Sequence, residues 1–252
     1  MKMRLAMRFL PARRWILAML CCMPVTGLGY DVIFNTEEYP PFNYRTEDGD
    51  VAGISTQMLR QAIKEAGLTA DFRLLPWARA YTEAKLRDSH CVYSTSRTPE
   101  RESHFQWVGP LIVNEWAAFV RRGSEIDAAR LDELAGLRVG SFREDAVGQF
   151  VEAQGIPIIL APTERENIHR LEAGLIDVWV SGDKVAQQLA TEANAPIEKL
   201  FTFQRSTLYL ACHPSVPTSI TERLQTSLDA MRQRGVHERI RRNVMERLER
   251  NR

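Results

Sequence analysis

The sequence predicts an α/β fold of two lobes, each a mostly parallel sheet flanked by helices, joined by two crossing strands. Three observations carry this. Short apolar runs alternate with helical patterns in the order strand–helix–strand–helix–strand, the pattern of parallel sheets with helices packed on them. That order occurs twice, without a detectable sequence repeat. No Gly-, Ser- or Pro-rich linker separates the two units, so extended chain rather than a flexible joiner must connect them.

In the first unit, residues 32–35 read as a strand. Residues 56–66 follow with helical spacing: Met58, Leu59, Ala62 and Ile63 share one face, and Gly67 is the stop. Residues 72–75 are a strand. Pro76 then introduces a helix over 77–86, and 91–95 form a third strand. An extended run over 116–122 leads into the second unit. A short helix over 131–134 precedes strand 138–142, helix 146–154, strand 157–161, helix 164–173, strand 177–181 and helix 183–192. Two extended runs, 200–204 and 207–212, come next. The last two helices are amphipathic: Ile220, Leu224, Leu228 and Met231 line one, and Val236, Ile240, Val244 and Leu248 line the other, with Gly235 between them.

The N-terminus reads as a secretory signal. Residues 1–14 hold Lys2, Arg4, Arg8, Arg13 and Arg14 and no acidic residue; an apolar run over 15–23 and small residues near Gly29 follow. The run is shorter than the roughly 20 residues that span a bilayer. Cleavage near residue 29 would place the protein in the periplasm. It would remove five of the 33 basic residues, leaving 28 against 32 acidic ones, a net charge of −4. Nucleic-acid binders carry a basic excess instead. Two cysteines would remain, Cys91 and Cys212, without metal-ligand spacing; in an oxidising compartment they form one disulfide or stay as two thiols. The five histidines form no ligand cluster, and no nucleophile elbow or phosphate loop appears. No cofactor and no metal is implied.

Several motifs then resemble a known family. The stretch Glu38-Tyr39-Pro40-Pro41-Phe42 with Gly53-Ile54-Ser55, the stretch from Ser94 to Arg101, Ala173-Gly174 through Asp177 and Asp183, and Met231 to Gly235 with its following helix resemble the extracellular solute-binding proteins of family 3. These are the polar amino-acid receptors of ABC transporters. The resemblance spans nearly all of residues 30–250, and its specificity lies in the order and spacing of the motifs. It implies the type II periplasmic-binding-protein fold: lobe one from residues 30–112 and 206–252, lobe two from 113–205. The crossings would fall near 110–115 and 203–207. The returning strand would lie antiparallel to the third strand of lobe one, which implies that Cys91 and Cys212 are close enough to pair.

The resemblance also implies a ligand set. Arg101 would hold a ligand carboxylate through its planar fork of donors. Ser94 and Ser96 would add hydroxyls, and Tyr39 and Trp77 ring faces. Asp183 would accept from an ammonium, or else cap the helix that begins there. Phe142 and Arg143 complete the set. One departure stands out: the family often has Gly-Ser/Thr at the helix start after strand 138–142, where free N–H groups hold the ligand carboxylate. This chain has Arg143-Glu144-Asp145-Ala146. Either the acids cap the helix, or Arg143 makes the contact, or the ligand is not a standard α-amino acid.

The function implied is capture of a small amino-acid-like ligand by hinge closure and delivery to an inner-membrane ABC permease, by a monomer without enzymatic activity. Two alternatives carry different consequences: an enzyme similar to the cyclohexadienyl dehydratases, with an acid such as Glu144, Asp145 or Asp183 in the cleft, and a sensory module acting on a partner receptor.

Overall fold

The computed structural model describes residues 32–250; the signal-peptide reading of residues 1–29 lies outside them. The chain begins with strand β1 (Val32–Thr36), a small hairpin β2 (Tyr44–Arg45) and β3 (Val51–Ala52), and helix α1 (Ile54–Glu65). Strand β4 (Ala70–Leu74), helix α2 (Trp77–Leu86), strand β5 (His90–Ser96) and the short helix α3 (Pro99–Glu102) follow. The long strand β6 (Gln106–Arg121) leads to a 3-10 turn at Leu131–Leu134, then β7 (Val139–Phe142), α4 (Ala146–Ala153), β8 (Ile158–Ala161), α5 (Glu166–Glu172), β9 (Val178–Gly182) and α6 (Asp183–Glu192). A second long strand, β10 (Ile197–Cys212), returns, and α7 (Thr218–Gln233) and α8 (Val236–Arg250) end the described chain.

Eight strands form one continuous sheet in the order β4-β1-β5-β10-β6-β9-β7-β8. β1 is parallel to β4 and β5, and β7 is parallel to β8 and β9; β6 and β10 are antiparallel to each other and to the parallel strands beside them. Register decides where the parallel strands end. Cys91 lies opposite Cys212 and Ser96 opposite Leu208, while Trp179 lies opposite Phe119 and Gly182 opposite Trp116. Both sets of parallel strands therefore run toward the middle of the β6–β10 ribbon, where Asn114 faces Ser206. Their carboxyl ends, the usual place for ligands in open α/β sheets, meet across that middle.

The two extended runs expected at 200–204 and 207–212 are one strand. Arg205 and Ser206 interrupt the apolar pattern, but they pair with Glu115 and Asn114 of β6, so ladder hydrogen bonds carry the strand through a polar stretch. β6 likewise starts ten residues earlier than its apolar run suggests. Gly109-Pro110 is a poor strand dipeptide, and the side chain of Gln225 takes over there: its Oε1 accepts from Gly109 N at 2.8 Å and its Nε2 donates to Gly109 O at 2.9 Å.

Cys91 and Cys212 are joined by a disulfide between β5 and β10. It lies within the first lobe's apolar core, where α1 and α7 bring Leu59, Leu224, Leu228 and Met231 against Phe34 and Tyr93. The second lobe has its own core around Leu134, Val139, Val147 and Val178. Two further clusters draw on both lobes. Phe142 and Ala161 pack with Trp77, Tyr81 and Phe105 of the first lobe. Tyr39, Phe42 and Met58 pack with Ile168, Trp179 and Val185, and α8 joins them through Val244. The lobes are thus in contact across the cleft between them.

Candidate ligand-binding cleft

The first lobe presents Arg101, Trp77, Tyr39 and the end of β5. α3 begins with Pro99 at its first position and carries Arg101 inward. Only 3% of Arg101 is exposed. Its guanidinium lies 4.9 Å from the ring centre of Tyr81 and 5.8 Å from that of Trp77, within cation–π range. Nη2 donates across the cleft to the carbonyl of Glu144 at 2.6 Å and to Gln149 Oε1 at 3.3 Å. Trp77, first residue of α2, donates from Nε1 to the same carbonyl at 2.7 Å. Glu144 has a left-handed φ of 61°, rare for a residue with a Cβ. Burial lowers the pKa of Arg101, opposed by the charges of Tyr81, Asp145 and Glu144.

The second lobe presents carboxyls. Asp145 caps α4: its carboxylate accepts from Val147 N and Gly148 N, both at 3.1 Å, and from Ser141 Oγ at 2.6 Å. The helix end where the family resemblance implies a ligand carboxylate is occupied by the chain's own. Glu164, between β8 and α5, accepts from Ser181 Oγ and, at 3.3 Å, from Trp179 Nε1. Burial and the nearby charge of Asp145 push its pKa up to about 8. Burial likewise raises Asp145, against the pull of Ser141, the two amides and Arg101. From the first lobe, Glu37 follows β1, and burial holds its carboxyl well above the usual range, reinforced by Glu164 and Asp145 and opposed by Arg101.

Tyr39 connects the two walls. Its hydroxyl accepts from Asn114 Nδ2 at 3.2 Å, on the crossing strand β6. Burial raises its pKa far above the usual value, and Asp145, Glu164 and Glu37 raise it further. Gly182 closes the same corner. A Cβ there would lie 2.7 Å from both the Tyr39 hydroxyl and Asn114 Oδ1, which explains the missing side chain.

Of the residues singled out from sequence, the structure brings Arg101, Trp77, Tyr39 and Phe142 to the contact between the lobes. Ser94 is buried there too, with a left-handed φ of 58°, but its Oγ donates to Asn43 Oδ1 within its own lobe. Ser96 is buried at the end of β5. Asp183 and Arg143 have other neighbours. Asp183 opens α6 behind its cap residue Gly182, accepts from Gln187 one turn on at 2.8 Å, and faces Lys199 Nζ at 3.4 Å. It thus meets lysines of its own lobe, and Gly182 rather than Asp183 holds the cap position. Arg143 is exposed; its backbone N–H donates to Ala161 O. Sequence reasoning missed Glu37, Asn114 and Glu164. Glu37 stood immediately before a motif that drew attention to Tyr39. Glu164 is expected as the first residue of helix 164–173, but α5 starts at Glu166 and leaves Glu164 buried. Beside the Arg101–Gln149 contact a cavity of about 1030 Å³ opens between the lobes, lined by Thr98, Trp116, Gln149, Phe150 and Tyr209 among others. Among the described residues no group of three His, Cys, Asp or Glu side chains has metal-ligand geometry, and no helix is long and apolar enough to cross a membrane.

Comparison with known proteins agrees with this fold. The model of the bacterial extracellular solute-binding proteins, family 3, matches residues 32–246. The L-cystine-binding protein TcyJ of Escherichia coli (strain K12) is 24% identical over 162 residues, which is 62% of this chain and 60% of TcyJ. A histidine kinase sensor domain with similarity to periplasmic binding proteins superposes with a TM-score of 0.79 at 22% identity, covering 84% of this chain and 95% of that domain. The amino acid ABC transporter substrate-binding protein AbpA of Streptococcus pneumoniae, bound to L-arginine, gives 0.77 at 14% identity over 87% of this chain and 96% of AbpA.

Proposed function

This chain belongs to the bacterial extracellular solute-binding proteins of family 3, and from that premise we propose that it captures a small amino-acid-like ligand by closing its lobes and delivers it to an ABC permease of the inner membrane. The observation that carries the reading is Arg101: a buried guanidinium on one lobe, flanked by two rings, whose hydrogen bonds end on the other lobe. A side chain so placed makes those hydrogen bonds only when the lobes are together. Anything that binds it there, and touches both lobes, shifts the open–closed equilibrium by its differential affinity. In this reading residues 30–112 and 206–252 form one lobe and 113–205 the other, with β6 and β10 as hinge. Tyr39 and Trp77 wall the ligand, Ser94 and Ser96 line the floor, and the protein acts as a periplasmic monomer after loss of residues 1–29.

The test is a thermal-shift screen on protein refolded to strip carried-over ligand, with the L-amino acids, ornithine, small dicarboxylates and polyamines. A ligand at 100 times its Kd adds about 2.7 kcal/mol, which is about 5–11 °C at this chain length. A shift with one ligand class, lost in Arg101→Ala, is expected; no shift across the panel would refute solute capture. Delivery is tested separately, by uptake of the identified ligand in cells with and without the protein. The likeness to a histidine kinase sensor domain favours one second reading, presentation of the ligand to a receptor. In that case loss of the protein changes gene expression but leaves uptake unchanged.

A further inference from the structure

We propose a second ligand site apart from the Arg101 wall: a cavity at the hinge that takes a small amphipathic monoanion, an aliphatic carboxylate of medium chain length. The cavity measures about 500 Å³, within the roughly 300–1,000 Å³ of small-molecule sites. Residues 110–113 of β6 and Thr207 of β10 line it together with α1, α7 and α8, and Lys184 of α6 reaches it from the second lobe. It shares Thr207 with the larger cavity beside Arg101, but Arg101, Trp77 and Tyr39 do not line it. The site does not depend on solute capture.

The first observation is the apolar lining. Ile54, Met58, Leu111, Ile112 and Met245 border the cavity. Val113, on the crossing strand, borders it too and is left 41% exposed. An apolar body lying against these side chains would remove their surface from water. The two methionines, unbranched and polarizable, can adapt to chains of different bend.

The second observation is the polar end. Lys184, Arg232 and Arg241 line the cavity against one acid, Glu238. Arg241 pairs with Glu238 at 2.6 Å, and Arg232 pairs with Asp229 at 2.7 Å and donates to Pro110 O at 2.8 Å. Lys184 stands 3.9 Å from Asp183, which is closer to Lys199, at 3.4 Å. With these partners included, Lys184, Lys199, Arg232 and Arg241 meet Asp183, Asp229 and Glu238, so one positive charge is left over. One carboxylate would balance it; an amine would add to it. The third observation is His237, the second residue of α8, at the helix end that favours negative charge. It lines the cavity, is 7% exposed, and its Nε2 has no hydrogen-bond partner among the described residues. Burial, and then the charge of Arg232, lowers its pKa, so the neutral ring adds nothing to the charge count. A buried polar atom without a partner is costly, and an N–H at Nε2 would donate to a carboxylate oxygen.

Calorimetric titration of the refolded protein tests this with octanoate. 1-Octanol and octylamine supply the same chain without the anion, and acetate supplies the head alone. Octanoate is expected to bind once per chain, at least about tenfold tighter than either of the others of its length, and acetate to give no heat. Lys184→Gln, at an exposed position, should weaken octanoate about threefold or more. His237→Leu should weaken it about tenfold without lowering the Tm of the unliganded protein, because the atom removed is polar, buried and unpartnered. Arg101→Lys, in the cleft, should leave octanoate within about twofold. Equal or tighter binding of 1-octanol or octylamine overturns the proposal. So do several equivalents of octanoate per chain, no heat from octanoate, or unchanged affinity in both Lys184→Gln and His237→Leu. Loss of octanoate binding in Arg101→Lys, with full binding in Lys184→Gln, would move the acid to the cleft and overturn the hinge site while leaving solute capture standing.

Discussion

The two walls of the cleft have opposite chemistry. The first lobe offers donors and rings: the Arg101 guanidinium, the Trp77 indole N–H and the face of Tyr81. The second offers acceptors: the Glu144 carbonyl, which takes both of those donors, and two carboxyls already held by N–H and hydroxyl groups of their own lobe. The difference teaches how closure is read. The first wall reaches and the second receives, so the contact that joins the lobes is directional, and a change on one side does not mirror a change on the other.

The largest effect should come from removing the reaching group. Arg101→Ala takes away the cation, and with it one of the two donors to the Glu144 carbonyl and the bond to Gln149. Truncating one partner of a buried hydrogen-bonded charge contact costs about 2–5 kcal/mol. Affinity for the bound solute, measured by calorimetry, should fall about thirtyfold or more. An Arg101→Lys variant keeps the charge but not the fork, and should recover only part of the loss.

Next in size is covalent. The disulfide ties only the first lobe, closing a separation of 121 residues. Breaking it by Cys91→Ala with Cys212→Ala should cost about 2–4 kcal/mol, or about 4–16 °C in Tm. Limited proteolysis should then cut within β1 to β5 before it cuts within β7 to β9. Equal cleavage in both lobes would show that they melt as one unit.

Gly182→Ala tests the corner where the walls meet. The new methyl would overlap the Tyr39 hydroxyl and Asn114. Overpacking costs about 1–3 kcal/mol, so Tm should fall by about 2–12 °C. Tyr39→Phe in the same chain should recover part of that fall.

The most gradual effect is that of pH, and it belongs to the carboxyls. Glu164 has a folded pKa of about 8 against an ordinary 4.5, so the folded protein binds the proton more tightly than the unfolded chain. The stability this confers is present in full below about pH 4.5 and is lost as pH rises through 8. Asp145 and Glu37 are shifted in the same direction. Unliganded protein should lose Tm between pH 5 and 9, by at most about 1.4 kcal/mol per pH unit for one group. Glu164→Gln should flatten the curve.

The same contrast separates what the sequence disclosed from what it hid. Elements with apolar periodicity, such as α1, α2 and α6, fall within two residues of their expected limits, because burial of one face makes both the pattern and the helix. β10 was read as two runs, because pairing with β6, a non-local fact, holds Arg205 and Ser206 extended. The first-wall residues Arg101, Tyr39 and Trp77 were reached through the family resemblance, whose motifs hold their order and spacing along the chain. On the second wall the capping acid was legible and the buried one was not. Asp145 is a helix cap with good local reasons to exist, and Glu164 looks like any surface acid until Ser181 and Trp179, from β9, close over it. Asp183 shows a second limit: the sequence offered a ligand contact or a helix cap, and the structure gives it Lys199 on β10 as a neighbour while Gly182 takes the cap position.

The most direct test of the account is the change in shape on binding, measured by small-angle X-ray scattering on refolded protein with and without the solute that raises its Tm. Hinge closure on that solute predicts a smaller radius of gyration, approaching that of the joined lobes, in wild type, and a reduced change in Arg101→Ala at concentrations that saturate the wild type. An unchanged radius of gyration in wild type, under a solute that binds it stoichiometrically, would contradict capture by closure of these two walls.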